Sequence, residues 1–297
     1  MQGVATWLVA RPLNAVLALA ATSSPYLGFL SSILMVLFVL RHGLRVAAFQ
    51  ALMAGALLAV VSVAVGSPTS VVIAVAIVFW LPAMLLASVL AATRSLTLSL
   101  QVSVLVAVLG MLAFFIAVGD PTAFWEAELQ VAAEVWRNLG ANELADSLAE
   151  GGELLASQMT MFIVIMLWTI YAATFVLGYR LFRQLPGESP QCGRFRDLNF
   201  GRVIAFMMAV SSVVALLTNA AWLQNIAFVL FAVFWLQGLA MVHWSHGRGI
   251  LPAFAVVMVY VLMLPLSAVV VVALAVVGYI DAWFRLRDRV PAAPAGN

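Results

Sequence analysis

The stretch Val39-Leu40-Arg41-His42-Gly43-Leu44-Arg45-Val46, VLRHGLRV, places two arginines and a histidine between two long apolar runs. Arginine forks carboxylates and phosphates in a planar, bidentate geometry. The stretch therefore suits an anion site with a histidine base. It better suits a turn at a membrane surface, with Gly43 supplying the bend and Arg41, His42 and Arg45 pinning topology. The surrounding chain distinguishes the two.

Of the 297 residues, 65% are hydrophobic and 9% charged, and the mean hydropathy is +1.13. A soluble domain carries about 25% charged residues, so the chain is read as an all-α, polytopic membrane bundle with the lipid bilayer as its first partner. All 14 basic residues are arginines. A single cysteine, Cys192, excludes an internal disulfide and a thiolate metal cluster. Arg11 followed by Ala18-Leu19-Ala20-Ala21 imitates a secretory signal, but the apolar pattern resumes through Leu27 to Leu40, and no cleavage is expected.

Apolar runs fall at 13–40, 46–66, 69–92, 96–118, 158–182, 203–219, 222–243 and 250–284. Crossing the hydrocarbon takes about 20 helical residues. The first and last runs are too long for one span and short for two, and each contains a proline, Pro25 and Pro265. Connections alternate between arginine-bearing (Arg41/Arg45, Arg94, the loop 183–202, Arg248, the tail 285–297) and arginine-free (GSPT at 66–69, TNAAWLQN at 218–225). The segment 119–157 sets eight acids against Arg137 alone. By the positive-inside rule the arginine connections are cytoplasmic and the acidic segment external. Parity then favours short broken helices at both ends, hinged near Ser23-Ser24-Pro25 and near Pro265, with both termini cytoplasmic; the alternative is a single long tilted helix at each end. The expectation is a single integral membrane domain over 1–297 in the inner (cytoplasmic) membrane.

Within the acidic segment, Trp125, Leu129, Ala132, Trp136 and Leu139 follow a helical stripe, with Glu126, Gln130 and Glu134 on another face. Gly140 reads as a stop and Asn142 as the cap of a second short helix ending at Gly151-Gly152. Being acidic, this element suits a lid or brace better than a headgroup-binding helix.

Other candidate features are few. His243 and His246 (HxxH) have a metal-compatible spacing but no following glutamate or nearby carboxylate, and no metal or other cofactor is expected. Asp281 and Arg285, at i and i+4, are placed to pair on one helix face and anchor the last helix or serve docking. Gln237 is the most deeply placed strong hydrogen-bonding side chain, either gluing helices or facing a polar cavity. Asn219, Gln224 and Asn225 cluster with Trp222 at an external turn. Ala51 and Gly55 form a small-xxx-small pair that permits close helix approach. The chain has no GxSxG elbow, Walker A loop or dinucleotide turn, and neither an enzymatic role nor a nucleic-acid partner is expected.

Three stretches, SSPYLGFLSSILMVLFVLRHGLRVAAF near the start, FVLFAVFWLQGLAMVHW at 228–244 and VVGYIDAWFRLRDR at 276–289, resemble the YybS-like family of uncharacterised bacterial membrane proteins. The most specific pieces are Arg41-His42-Gly43, Gln237-Gly238-Leu239 and Gly278 through Asp281 to Arg285. That family is distantly similar to the substrate-binding membrane subunits of energy-coupling-factor transporters. The resemblance implies capture of a small solute from outside and docking on an ATP-driven module. The spacing of Ala15, Ala18 and Ala21, and the acidic segment, depart from that pattern. The expected function is a solute-binding or transport-related subunit with an outward pocket bordered by Trp125, Trp136, Asn219, Trp222, Asn225 and Gln237. The alternative is a scaffold or assembly partner of another membrane complex.

Overall fold

Inside hydrocarbon every backbone N–H and C=O needs a partner within the protein, which makes helices the natural form of these apolar runs. The computed structural model describes residues 2–24, 27–187 and 192–289, and these contain helices and no strand. In order they are α1 (Gln2–Ala10), α2 (Pro12–Thr22), α3 (Gly28–His42), α4 (Leu44–Ala64), α5 (Ser70–Thr93), α6 (Leu96–Val118), α7 (Pro121–Asn138), α8 (Asn142–Glu150), α9 (Gly152–Phe182), α10 (Gly201–Thr218), α11 (Ala221–Gly247), α12 (Ala253–Leu262) and α13 (Ser267–Phe284). Seven of them (α4, α5, α6, α9, α10, α11 and α13) are long and apolar enough to cross a membrane.

Both terminal runs are broken. At 1.5 Å per residue, α2 and α3 extend about 16 and about 22 Å, each less than the hydrocarbon thickness. They part after Ser23, whose hydroxyl donates to the Leu19 carbonyl at 2.5 Å; the expected hinge residue Pro25 lies outside the described residues. The last run breaks at 263–266, around Pro265, into unequal halves. α12 has 10 residues, whereas the 18 residues of α13 suffice for a span of their own.

The contacts divide the chain into two compact units, 1–103 with 169–195 and 104–168 with 196–297, so α6 and α9 contribute to both. In the first unit α3 is the enclosed element: Met35, Val36, Leu37 and Phe38 are fully buried. It packs on α4 and on the second half of α5. Residues Ala76–Trp80 of α5 widen into a π turn immediately before Pro82, which has no N–H to offer the carbonyl one turn back. Ser32 donates to the Phe79 carbonyl at 2.8 Å, and the Trp80 indole donates to Ser31 at 3.2 Å. Of the Ala51–Gly55 pair, Ala51 is buried, whereas a Cβ on Gly55 would meet only the Trp80 ring, at 3.8 Å, so Gly55 is not at a tight backbone contact.

In the second unit α11 is central, with 61% of its most apolar window buried, against 22–33% for the other spans. It packs on α10 and most closely on α13. Asp120 caps α7 by accepting from the N–H groups of Thr122 and Ala123. α7 buries Pro121, Leu129 and Ala133, while Trp136 and Leu139 are 41% and 71% exposed. The inward row is therefore the i, i+4 line through Trp125, Leu129 and Ala133, and the second half of the expected stripe turns outward. Asn142 is the first residue of α8 and gives no side-chain cap; Ala141 holds the cap position. Gly151 ends α8 and Gly152 opens α9 directly, so the acidic segment runs into a 31-residue helix with no intervening loop.

Candidate functional site

Two of the sequence marks meet in the second unit. Gln237 and Gly238 are neighbours in α11, and Gly278 and Asp281 lie about one turn apart in α13. A Cβ on Gly238 would run into the backbone carbonyl of Leu274, and one on Gly278 into the carbonyl of Phe234 and the amide of Gly238. Only glycine lets two helix backbones approach this closely. The approach sets Asp281 level with Gln237, and both side chains are fully buried.

The Gln237 amide is used at both ends. Its Nε2 donates to Asp281 Oδ2 at 2.8 Å, and its Oε1 accepts from the Phe200 N–H at 2.7 Å. Asp281 Oδ2 also accepts from Arg287 Nε (3.1 Å) and Nη2 (2.6 Å). Arg287 in turn donates to the carbonyls of Arg196 (3.0 Å) and Leu198 (2.6 Å). One guanidinium thus neutralises the carboxylate near the carbonyl-rich end of α13, where the helix dipole disfavours negative charge. It also ties the segment before α10 to that end. Arg202 adds a bond to the Trp283 carbonyl at 3.3 Å. Asp281 Oδ1 is buried without a hydrogen-bond partner.

The expected partner of Asp281 was Arg285, and the structure corrects this. The i, i+4 geometry requires the helix to continue, but α13 ends at Phe284 and Arg285 takes a left-handed conformation with φ of 47°. That reversal folds Leu286–Arg289 into a 3-10 turn and delivers Arg287 to the carboxylate. Arg287 carried no signal of its own in the sequence, where it is one arginine of a basic tail. Phe200 and Leu198 act through their backbones, which side-chain patterns do not reveal.

The other expected pocket residues differ in burial and bonding. Trp125 donates from its indole to Thr160 at 2.8 Å and packs on Phe114 and Phe124. Trp136 and Trp222 are exposed. Asn219 ends α10 in the left-handed conformation, φ 52°, which asparagine adopts readily. Asn225 is buried; its Nδ2 donates to the Ala221 carbonyl at 2.8 Å, and its Oδ1 has no partner. Twelve residues of α11 separate it from Gln237, about 18 Å along the axis, so these two amides do not face one pocket.

In the first unit, the arginine-histidine turn is a helix junction. Gly43 has φ of 83° and separates α3 from α4. The His42 ring stacks on Phe38, centroids 6.2 Å apart, and its Nδ1 lies 3.4 Å from Gln50 Nε2. Arg41 and Arg45 are exposed. Of the HxxH pair, His243 Nε2 lies 2.8 Å from the Tyr260 hydroxyl and His246 Nδ1 lies 3.0 Å from the Leu251 carbonyl.

Seven span-length apolar helices, broken terminal helices and a buried polar lock between two of the spans define a multi-pass α-helical membrane protein. Residues 13–282 match the family described as predicted membrane protein (DUF2232), and the chain belongs to it. No curated protein and no solved structure matches the chain.

Proposed function

We propose that the protein is a solute-binding, transport-related membrane subunit whose pocket opens outward beside the start of α11. The observation that carries this reading is Asn225: a buried amide oxygen with no partner at the end of a span where the connection bears no arginine. An unpaired buried acceptor costs about 1–3 kcal/mol, and a ligand hydrogen-bond donor removes that cost. The interrupted run α12–α13, in the same unit as Asn225, adds support, since interrupted spans commonly border solute sites in transporters. The YybS-like resemblance, and its distant likeness to solute-capturing subunits, points the same way. In this reading Trp125 and Trp222 flank the solute, Asn225 orients it, and Gln237 serves the lock instead.

The test is thermal unfolding of the purified protein against a library of vitamins and small metabolites. Saturable stabilisation by at least one compound is expected, weakened about tenfold in Asn225→Ala, the loss of one buried hydrogen bond. No stabilising compound, or one whose affinity ignores Asn225, removes the reading. A stable protein partner recovered from membranes in the absence of any solute effect would instead favour the scaffold alternative.

A further inference from the structure

The two units differ sharply in charge. The first holds seven arginines (11, 41, 45, 94, 180, 183 and 194) and one carboxylate, Glu188, which lies outside the described residues. The second sets seven arginines against eleven acids. The first unit thus carries a net excess of positive charge, seven arginines to one carboxylate, on apolar helices suited to lipid surroundings.

The structure gives part of this charge a shaped site. A cavity of about 310 Å³ opens where α3, α5 and α9 end. Leu40, Leu90, Ala91 and Phe182 form its apolar wall. Its polar side is made by Arg94 and Tyr179, with Cys192 beneath. Arg94 closes α5 in a left-handed conformation, φ 52°, and no carboxylate among the described residues pairs with it. The Tyr179 hydroxyl donates to the Gly193 carbonyl at 3.0 Å, and the Leu96 N–H donates to the Cys192 carbonyl at 2.8 Å, so the floor is held in place. The Arg183 guanidinium sits 5.9 Å from the Tyr179 ring centre. Burial pushes the Cys192 thiol up, while Arg94, the Tyr179 hydroxyl and Arg183 pull it down, so both cations are felt at the cavity floor.

We propose that this cavity binds the phosphate of an anionic lipid, with Arg94 as the charged contact, Arg183 at its edge and an acyl chain along Leu40, Leu90 and Phe182. A small hydrated anion would use only the polar side, whereas a lipid uses both the polar side and the apolar wall. The position suits a headgroup, because the cavity lies at the ends of apolar helices beside arginine-bearing connections. Basic pockets between membrane helices are one way in which proteins hold anionic headgroups. The site lies in the other unit from Asn225, so this proposal and the solute reading stand or fall by separate measurements.

The experiment is thermal unfolding of the delipidated full-length protein titrated with phosphatidylglycerol, phosphatidylcholine or inorganic phosphate. Phosphatidylglycerol alone is expected to give a saturable rise. Arg94→Gln is expected to weaken half-saturation about fivefold, since one arginine at an anionic membrane surface is worth about 1 kcal/mol. Ala91→Trp, which keeps every arginine and fills the cavity, is expected to abolish the effect, and Arg248→Gln in the second unit to leave it unchanged. Equal stabilisation by phosphatidylcholine overturns the proposal. So does an effect reproduced by inorganic phosphate alone, which would make the site one for a free anion. If Arg94→Gln does not fold, Ala91→Trp decides: binding equal to that of the unaltered protein overturns the proposal.

Discussion

Two of the polar constellations in this apolar chain, one in each unit, solve the same problem in opposite ways. At Arg41-His42-Gly43-Leu44-Arg45 the guanidinium groups stay exposed and the histidine is absorbed by its neighbours Phe38 and Gln50. At Gln237, Asp281 and Arg287 the charges are taken inside, the guanidinium side chain being 10% exposed and the carboxylate side chain 0%. An exposed charge at a helix end needs no particular partner. A buried one needs a partner of opposite sign and several hydrogen bonds, because desolvation is otherwise uncompensated. The first arrangement tolerates change, and the second does not.

The sharpest way to break the comparison is Arg287→Ala. It leaves Asp281 buried and strips Oδ2 of two donors, which costs about 3–5 kcal/mol for a buried pair broken from one side. Thermal unfolding in detergent should show a large drop in Tm. Replacing both partners, Asp281→Leu with Arg287→Met, should recover most of it, since a buried pair is often worth little against apolar groups of similar volume. If the double variant is as unstable as the single one, the bonds from Arg287 to the Arg196 and Leu198 carbonyls carry more of the stability than the ion pair does.

A second contrast separates two glycine positions. Gly278→Ala forces a methyl group into the carbonyl of Phe234, and overpacking of this kind costs about 1–3 kcal/mol. Gly55→Ala meets only a ring at 3.8 Å and removes a helix-weakening residue, for a gain of up to about 1 kcal/mol. Unfolding of the two variants side by side should move in opposite directions. A loss at Gly55 as large as that at Gly278 would mean that α4 has a close neighbour not present within the single chain, such as a second protein.

These pairs also show which parts of the architecture the residues announce. The breaks are legible because the length of each terminal run and the alternation of arginine connections constrain one another, but the second half of the last run, α13, is long enough for a span and is not the short helix expected. The all-helical, multi-pass class is legible because hydropathy along a span is a local property. The marks Gln237-Gly238 and Gly278–Asp281 were visible separately, yet their meeting was not, because periodicity places a residue on a face without saying which helix it faces. The Asp281 partner was misplaced for a related reason: i, i+4 spacing holds within a helix, and the left-handed Arg285 ends it one residue too soon. At Ala51 and Gly55 the small residues allow close approach without compelling it, and Gly55 is not at a tight backbone contact.

The smallest effect is expected at the turn itself, and it is the most informative about topology. Arg41→Gln with Arg45→Gln removes two exposed charges, and exposed charges contribute no more than about 1 kcal/mol each even where they are paired, so the Tm in detergent should move little. Insertion is a different matter, because orientation responds to arginines within about 15–20 residues of span ends. With these two arginines gone, the first unit retains Arg11, Arg94, Arg180, Arg183 and Arg194, so a minority of molecules should invert rather than all. Labelling of a cysteine placed at Ser67, in the arginine-free connection after α4, reports that fraction from outside the cell. A normal Tm with a measurable inverted fraction is the behaviour of a turn that pins topology. A Tm loss approaching that of Arg287→Ala would show instead that the turn is a second lock, with His42 and Gln50 as part of it.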